Sequence, residues 1–279
     1  MENHQRSFSF EFFPPKNAQA ATRLAETAAT LAELDPDFFS VTFGAGGSTR
    51  DRTLECVLDL QRSTGIEVAP HLSCIGSSKA SLGELLDTYK VQGVTRIVAL
   101  RGDMPSGMRD AGELNYANEL VGFIRDKTGD HFHIEVAAYP EFHPQARSAR
   151  DDLNNFKRKV DAGADSALTQ YFFNADAYFR FLDDCATIGI DIPIVPGIMP
   201  ITNYTQLARF SDACGAEIPR WIRRRLDGYG DDLESIRRFG VDVVTELCDT
   251  LLEGDAPGLH FYTMNQTRAT LEIWQQLQL

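Results

Sequence analysis

One carboxylate near the start of the chain is set apart because its neighbours are aromatic. Glu11 lies in the run FSFEFFPPK, directly between Phe10 and Phe12. Removing a carboxylate from water disfavours its charged form, so we expect Glu11 to have a raised pKa and to act as a general acid near neutral pH. Pro14 and Pro15 end the strand at once and place Glu11 near its C-terminal end. An outward-facing strand residue is the alternative, which strand alternation also allows.

The tripeptide Arg101-Gly102-Asp103 follows the apolar run RIVAL. Arg101 has the geometry to bind a phosphate through two hydrogen bonds. Gly102 would let the backbone approach a planar ligand, and Asp103 would place negative charge beside a cofactor ring. An arginine–aspartate pair that caps a loop explains the same residues equally well.

A loop bounded by prolines and the helix after it carry a further polar group. Tyr139 and His143 lie in the loop YPEFHP, where a rigid backbone would hold an aromatic ring over a cofactor or simply form a turn. Asp152, Asn155 and Lys159 then share one helix face through their spacing. Such a face suits hydrogen bonds to a ribose and charge on a pyrophosphate. Taken alone, a charged helix face is more often solvated surface.

A glycine-rich turn resembles a dinucleotide fingerprint but lacks one of its parts. Residues 44–49 read GAGGST, after a strand and before a helical pattern. The fingerprint needs a third glycine where this chain has Thr49, so a tight turn is the favoured interpretation. A glycine-rich loop beneath a bound cofactor is the alternative. The histidines show no metal-ligand spacing, so we expect no metal site.

Eight short apolar runs alternate with helical patterns and supply the elements that must position these residues. The runs are SFSFEFF, DFFSVTF, EVAPHLSC, RIVALRG, HIEVAAYP, SALTQYFF, IPIVPGIM and LHFYTMN. This alternation predicts βαβ units and a parallel sheet. Eight units favour an α/β fold of the (β/α)₈ TIM-barrel type, as a single domain over residues 1–279.

Polar residues close seven of the eight runs, and the C-terminal ends of barrel strands carry the active site in such folds. These residues are Glu11, Thr42, His71, Arg101 with Asp103, Tyr139 with His143, Gln170, and Asn265 with Gln266. Their convergence on one mouth indicates an enzyme.

Two helices are visible from their apolar spacing. The first carries Leu24, Ala28, Leu31 and Leu34, and the second carries Ile236, Val243, Val244, Leu247 and Leu251. The stretch 201–258 is longer than the other connections and predicts one or two extra helices before the last strand. Its arginine run, residues 223–225, is interpreted as a solvated helix face.

The composition excludes several classes of protein. A net charge of −13 is unsuited to binding a phosphate backbone, so no nucleic-acid partner is expected. No apolar run is long enough to span a membrane, and the N-terminus does not read as a signal peptide. Five scattered cysteines without metal spacing predict buried free thiols in a reducing cytoplasm.

Taken together, the motifs resemble methylenetetrahydrofolate reductase of the bacterial type. The matching segments are FEFFPPK, FSVTFGAGGSTRDRT, APHLSC, IVALRGD, AAYPEFHP, LNNFKRKVDAGAD, TQYFF, PGIMP and HFYTMN, in the family's order. They cover nearly the whole chain, and the resemblance implies a catalytic barrel without the extra regulatory domain of eukaryotic relatives. The resemblance implies a flavin-dependent oxidoreductase of one-carbon and methionine metabolism, a catalytic barrel that forms homo-oligomers.

The resemblance also implies roles for individual residues. Glu11 and Asp103 correspond to catalytic residues, the first as the acid that opens the folate's methylene bridge. The substrate contacts implied are Glu11, Asp103, Gln170, Gln206, Phe210 and Gln266. The FAD contacts implied are Thr42, Phe43, Ala45, His71, Arg101, Gly102, Asp103, Ala117, Tyr139, His143, Ala146, Asp152, Asn155, Arg158 and Lys159.

The implied reaction is a ping-pong reduction in which NADH or NADPH reduces bound FAD and 5,10-methylenetetrahydrofolate then takes the hydride to become 5-methyltetrahydrofolate. One position departs from the family. Gln266 stands where the enterobacterial form has an arginine, with Arg268 two positions on. Two other functions stay open: a cofactor-free barrel lyase or aldolase, and a flavin- or folate-binding protein without turnover.

Overall fold

The fold is a row of parallel strands that closes into a barrel, with helices on its outside. The computed structural model describes residues 6–43, 47–103 and 112–279, apart from side chains 47–51. Its strands are β1 (Ser7–Phe12), β2 (Phe38–Val41), β3 (Glu67–Ser73), β4 (Arg96–Leu100), β5 (His133–Ala138), β6 (Ser166–Thr169), β7 (Ile194–Val195), β8 (Gly197–Ile198) and β9 (Gly258–Tyr262). They are hydrogen-bonded in the order β7-β6-β5-β4-β3-β2-β1-β9-β8.

Ten helices connect or follow these strands in the described part of the chain. They are α1 (Ala18–Ala32), α2 (Gly47–Thr64), α3 (Lys79–Val91), α4 (Ala117–Thr128), α5 (Ala149–Asp161), α6 (Ala175–Thr187), α7 (Tyr204–Cys214), α8 (Arg220–Tyr229), α9 (Leu233–Glu253) and α10 (Arg268–Leu277). Among them, none combines the length and apolarity that crossing a bilayer requires.

The seventh predicted strand is divided in two. Pro196 separates β7 from β8, because proline has no N–H to continue the ladder. β7 pairs with β6 and β8 pairs with β9, so the two halves join the opposite ends of the row. The predicted (β/α)₈ barrel is therefore confirmed, with its seventh strand bent between two neighbours.

Strand alternation divides the core into two layers. Phe10 and Phe12 are fully buried against the helices, where the Phe10 ring stacks on Phe261 and also contacts Trp274. The opposite face of the strands fills the barrel, with a separate apolar cluster made by Phe38, Ala69, Val98, Leu168 and Val195.

A charged group lies inside the barrel near the start of the strands. Arg96 at the start of β4 places Nη1 2.6 Å from Glu135 Oε1 and Nε 3.1 Å from Glu67 Oε2. Its guanidinium also covers the Phe38 ring at 4.4 Å. Burial alone would raise the pKa of Glu135, but His133 and Arg96 outweigh it and lower the pKa.

The long connection between β8 and β9 holds two helices, α7 and α8, before α9, which confirms the predicted extra helices. Arg224 and Arg225 are exposed on α8, as expected for a solvated face, whereas Arg223 is half-buried and donates to Ile218 O. The predicted apolar face of α9 is buried throughout. The α1 prediction extended too far, since Leu34 lies two positions beyond the last residue of that helix, Ala32.

Candidate active site

The Glu11 carboxylate points into the barrel near its C-terminal mouth. Phe10 and Phe12 face the helices, so Glu11 between them must face the interior. Its Oε2 lies 3.2 Å from His71 Nε2 of β3 and 3.6 Å from His260 Nε2 of β9. The side chain is 10% exposed. The outward-facing alternative is therefore wrong.

The expected rise in the pKa of Glu11 is also wrong. Burial alone would raise the pKa, but the neighbouring His71 and His260 imidazoles outweigh burial and lower it to about 2. The aromatic residues adjacent in sequence point away from the carboxylate, whereas the two histidines come from strands distant in sequence. The protein therefore holds Glu11 as a carboxylate close to two imidazoles.

His260 was missed by the analysis of the sequence. It is fully buried, and its Nδ1 is 2.7 Å from Ser9 Oγ of the adjacent β1. Its ring also meets Tyr262 edge to face at 5.3 Å. The signal available was the alternation in LHFYT, which puts His260 and Tyr262 on one strand face and Phe261 on the other.

The residues that follow β9 form hydrogen bonds with the backbone of Glu11 and Phe13. Thr263 Oγ1 donates to Glu11 O at 2.6 Å. Asn265 accepts from Phe13 N at 2.8 Å and donates to Phe13 O at 2.9 Å. Met264 and Asn265 both have positive φ, 53° and 55°, which turns the chain back toward β1. Asn265 therefore links the loop after β9 to the end of β1, beside Glu11.

A second group of predicted residues gathers where β4 and β5 end. Arg101 Nη2 donates to Gln145 Oε1 at 2.8 Å, a partner in the loop that follows β5. In that loop Tyr139 and His143 meet edge to face at 4.7 Å. Asp152 of α5 accepts from His143 N at 2.8 Å. The structure thus brings the Arg101-Gly102-Asp103 segment, the proline-bounded loop and α5 together.

The inner face of α5 is not the solvated surface that its charge alone favoured. Lys159 is partly buried and its Nζ donates to Ala137 O of β5 at 2.5 Å. Burial lowers the pKa of Lys159 to about 8, against the opposing effect of Asp152. On the same helix, the exposed Arg158 donates to Asn155 Oδ1 at 2.9 Å. One amine of α5 is therefore held against the backbone of β5.

Gly102 is required by the packing of its own backbone. Its φ is +83°, and a Cβ there would lie 1.9 Å from Ser73 Oγ. Ser73 uses this hydroxyl to donate to Arg101 O at 2.8 Å. Asp103 is exposed beside it and contributes to the electrostatic surroundings of Tyr139 and His143.

Gln170 lies at the end of β6 and lines a narrow cleft together with Tyr139. The adjacent Tyr171 ties this edge to α7, since its hydroxyl is 3.0 Å from Ser211 Oγ. Tyr262, also missed from the sequence, donates to Thr169 O at 2.7 Å. Burial raises the pKa of Tyr262 well above its ordinary value, and nearby Glu11 adds to the rise.

The remaining predicted contacts have simple positions. Gln206 and Phe210 are half-buried on α7, the helix tied to Tyr171. The other sites are Thr42 and Phe43 after β2, Ala117 at the start of α4 and Ala146 in the loop before α5. Ala45 and the glycines at 44 and 46 lie outside the described residues.

Arg268, one candidate for the role of the missing arginine at position 266, is engaged by two glutamates. Its guanidinium is 65% exposed and pairs with Glu234 of α9 and Glu272 of α10, both at 3.3 Å. Gln266 is exposed just after β9, and its backbone N–H donates to Thr263 O at 2.9 Å. Of the two, Gln266 is the residue near the mouth.

No group of three or more His, Cys, Asp or Glu side chains is arranged to hold a metal within the described ranges. The barrel mouth holds a carboxylate between two imidazoles. Cationic and aromatic side chains from β4, β5 and α5 lie next to it. This combination at the C-terminal ends of parallel strands defines the protein as a barrel enzyme that acts on a small molecule.

Comparison with known proteins narrows this class. The family model of methylenetetrahydrofolate reductase matches residues 1–278. The chain is 40% identical to 5,10-methylenetetrahydrofolate reductase of Escherichia coli K12, over 98% of this chain and 91% of that protein. It is 41% identical to the enzyme of the same name from Pectobacterium carotovorum, over 96% and 89%. The chain belongs to the methylenetetrahydrofolate reductase family and is an oxidoreductase.

Other relatives differ in length or share only the fold. Methylenetetrahydrofolate reductase (NADH) 1 of Arabidopsis thaliana is 38% identical over all of this chain, which spans 49% of that protein. An uncharacterized protein from Clostridium thermocellum, which binds two copies of 5-methyl-5,6,7,8-tetrahydrofolic acid, has a TM-score of 0.69 at 18% identity. It covers 97% of this chain and 94% of that one, and it supports the barrel assignment alone.

Proposed function

We propose that the protein reduces 5,10-methylenetetrahydrofolate to 5-methyltetrahydrofolate with NADH or NADPH, through a bound FAD and in two half-reactions at one site. The observation that carries the proposal is the Glu11 carboxylate, buried at the barrel mouth between His71 and His260, in a chain of this family. The plant relative's name specifies NADH, which makes NADH the first donor to test.

The side chains around β4, β5 and α5 carry the chemical groups that FAD binding needs. Arg101 and Lys159 supply the positive charge that a pyrophosphate needs, and Tyr139 and His143 supply aromatic rings. The polar side chains of α5, including Asp152 and Asn155, suit a ribose. His71 is buried beside Glu11, so its imidazole lies at the edge of the same mouth. These residues, with the other predicted FAD contacts, would hold the cofactor.

When bound, FAD would supply the hydride chemistry, taking a hydride from the nicotinamide and giving one to the methylene carbon of the folate. Glu11 supplies the proton at the folate amine, so that the C–N bond breaks and the methylene carbon becomes an iminium. Asp103, Gln170 and Gln266 offer hydrogen-bonding groups to the pterin. Phe210 on α7 offers a flat apolar face, which either planar substrate can use in turn.

The visible spectrum of the purified protein tests this function. We expect a yellow protein that NADH bleaches without oxygen and that methylenetetrahydrofolate then restores. A colourless protein that binds no added FAD would contradict the flavin. A yellow protein that NADH bleaches but folate leaves bleached would contradict the substrate. A cofactor-free lyase would show neither the yellow flavin absorbance nor any bleaching by NADH.

The role proposed for Lys159 gives a second test. Lys159→Met keeps the apolar stem and removes the charge, and we expect FAD affinity to fall by about 10- to 100-fold because a charge-assisted hydrogen bond is lost. Lys157→Met is the matched control, since Lys157 pairs with Asp161 and we expect a change under about twofold. Titration of the apoprotein with FAD measures both. Equal losses in the two variants would remove Lys159 from the site.

Two further expectations stay proposals. We propose that the protein works in a reducing cytoplasm, which is consistent with four buried free thiols, Cys56, Cys74, Cys185 and Cys248. We also propose that it forms homo-oligomers, as its family resemblance implies, and sedimentation analysis measures this directly.

A further inference from the structure

The Glu11 carboxylate has a buried polar connection on its inner side that the proposed reaction has not yet used. His260 lies below Glu11 in the barrel, fully buried, with its ring parallel to Phe38 at 6.1 Å. Ser9 Oγ holds Nδ1 of this ring at 2.7 Å. Its Nε2 then faces Glu11 Oε2 at 3.6 Å and has no regular hydrogen-bond partner among the described residues.

A buried imidazole with one nitrogen fixed and the other unsatisfied is arranged for proton transfer. If Nδ1–H donates to Ser9 Oγ, this bond stays in place whether or not Nε2 carries a proton. The ring orientation is then held while Nε2 alone gains or loses its proton. Bulky apolar neighbours such as Phe38 also prevent the ring from turning away.

We propose that His260, held by Ser9, is the positioning residue that stores the proton delivered by Glu11. This inference rests on the proposed acid role of Glu11. In the step, the His260 Nε2–H bond breaks and an O–H bond forms on Glu11 Oε2, which leaves a neutral imidazole and a neutral carboxylic acid. Glu11 then passes the proton to the folate amine nitrogen, and water at the mouth returns a proton through Glu11.

The groups that face His260 support a proton shared within a small cluster. Glu11 of β1 and Tyr262 of its own strand, β9, contact His260, and His71 of β3 contacts the same Glu11 carboxylate. Arg96 of β4 lies over the Phe38 ring, and that ring in turn stacks on His260. The Glu11 side chain is 10% exposed, so a neighbouring imidazole is a nearer source of a proton than bulk water. His260 is the neighbour that is shielded from bulk water.

The first experiment needs neither flavin nor folate. The ¹³C carboxyl signal of Glu11 is titrated in the apoprotein, assigned by its absence in Glu11→Gln. We expect the midpoint to rise by about one unit or more in His260→Gln, since the glutamine amide cannot become positively charged. His131→Gln is the matched control, because His131 contacts Val94 O near the start of β5, and we expect no shift. An unchanged Glu11 midpoint in His260→Gln would overturn the proposal, whatever the protein's activity.

The second experiment separates the two half-reactions. In His260→Gln we expect folate reduction to slow by about 10- to 100-fold with an altered pH profile, whereas reduction by NADH stays within about twofold. Ser9→Ala, a smaller change, should act in the same direction by about 2- to 10-fold and covers the case in which His260→Gln does not fold. A wild-type pH profile for folate reduction in both variants would overturn the proton store. If NADH fails to reduce the wild-type protein, the proposed function itself is contradicted.

Discussion

Glu11→Gln is expected to leave reduction by NADH within about twofold of wild type and to slow the reduction of methylenetetrahydrofolate by about 10²- to 10⁴-fold. The glutamine side chain has the same shape and still accepts and donates hydrogen bonds, but it cannot release a proton to the folate amine. Hydride transfer from the nicotinamide requires no such proton, so the first half-reaction is spared. Anaerobic stopped-flow absorbance measures the two steps separately.

The matched control for this variant is Glu26→Gln, which makes the same change at an exposed position on α1. We expect both half-reactions of the control to match wild type. Circular dichroism of Glu11→Gln checks that the barrel is folded, because the change removes a buried charge between two histidines. Survival of both half-reactions in Glu11→Gln would show that Glu11 is not the acid.

Arg96→Met is expected to lower the free energy of unfolding by about 3–5 kcal/mol at pH 7. Arg96 pairs with both Glu135 and Glu67, and Glu135 is only 3% exposed, so the variant leaves a buried carboxylate without its arginine. The methionine keeps the apolar stem that lies over Phe38. Urea unfolding followed by circular dichroism measures the change.

The pH of that measurement matters because the pKa of Glu135 is lowered in the folded protein. Its stabilising contribution is present above the ordinary glutamate value of 4.5 and is lost as the pH falls through the lower folded-state value. At pH 7 it is fully present. Arg62→Met is the control, because the Arg62–Asp59 pair is 73% and 63% exposed and should contribute under about 1 kcal/mol. Similar losses in the two variants would contradict a structural role for the Arg96 group.

The position of the site could be read from the order of the chain. Parallel strands bring their C-terminal ends to one side, so polar residues at those ends must gather whatever the details of packing. This holds for Glu11, His71, Tyr139 and Gln170, and the motifs around them identified the family correctly. The electrostatics could not be read in the same way, because a pKa depends on charges across the barrel rather than along the strand.

Two other features needed the folded chain for the same reason. The division of the seventh strand at Pro196 follows from which neighbours its two halves meet when the row closes. Lys159 reads as part of a charged surface helix until β5 is placed against α5 and its carbonyl receives the amine. In each case the partner lies on another element of the fold.

The sequence by itself determined the barrel, its single mouth and the family, since these depend on local periodicity and on residue types at strand ends. The tertiary structure alone decided that Glu11 is a carboxylate between His71 and His260, and that Ser9 holds His260 beneath it. The physical reason is that hydrophobic periodicity is a property of neighbours in the chain, whereas the energy of a buried charge is set by neighbours in space.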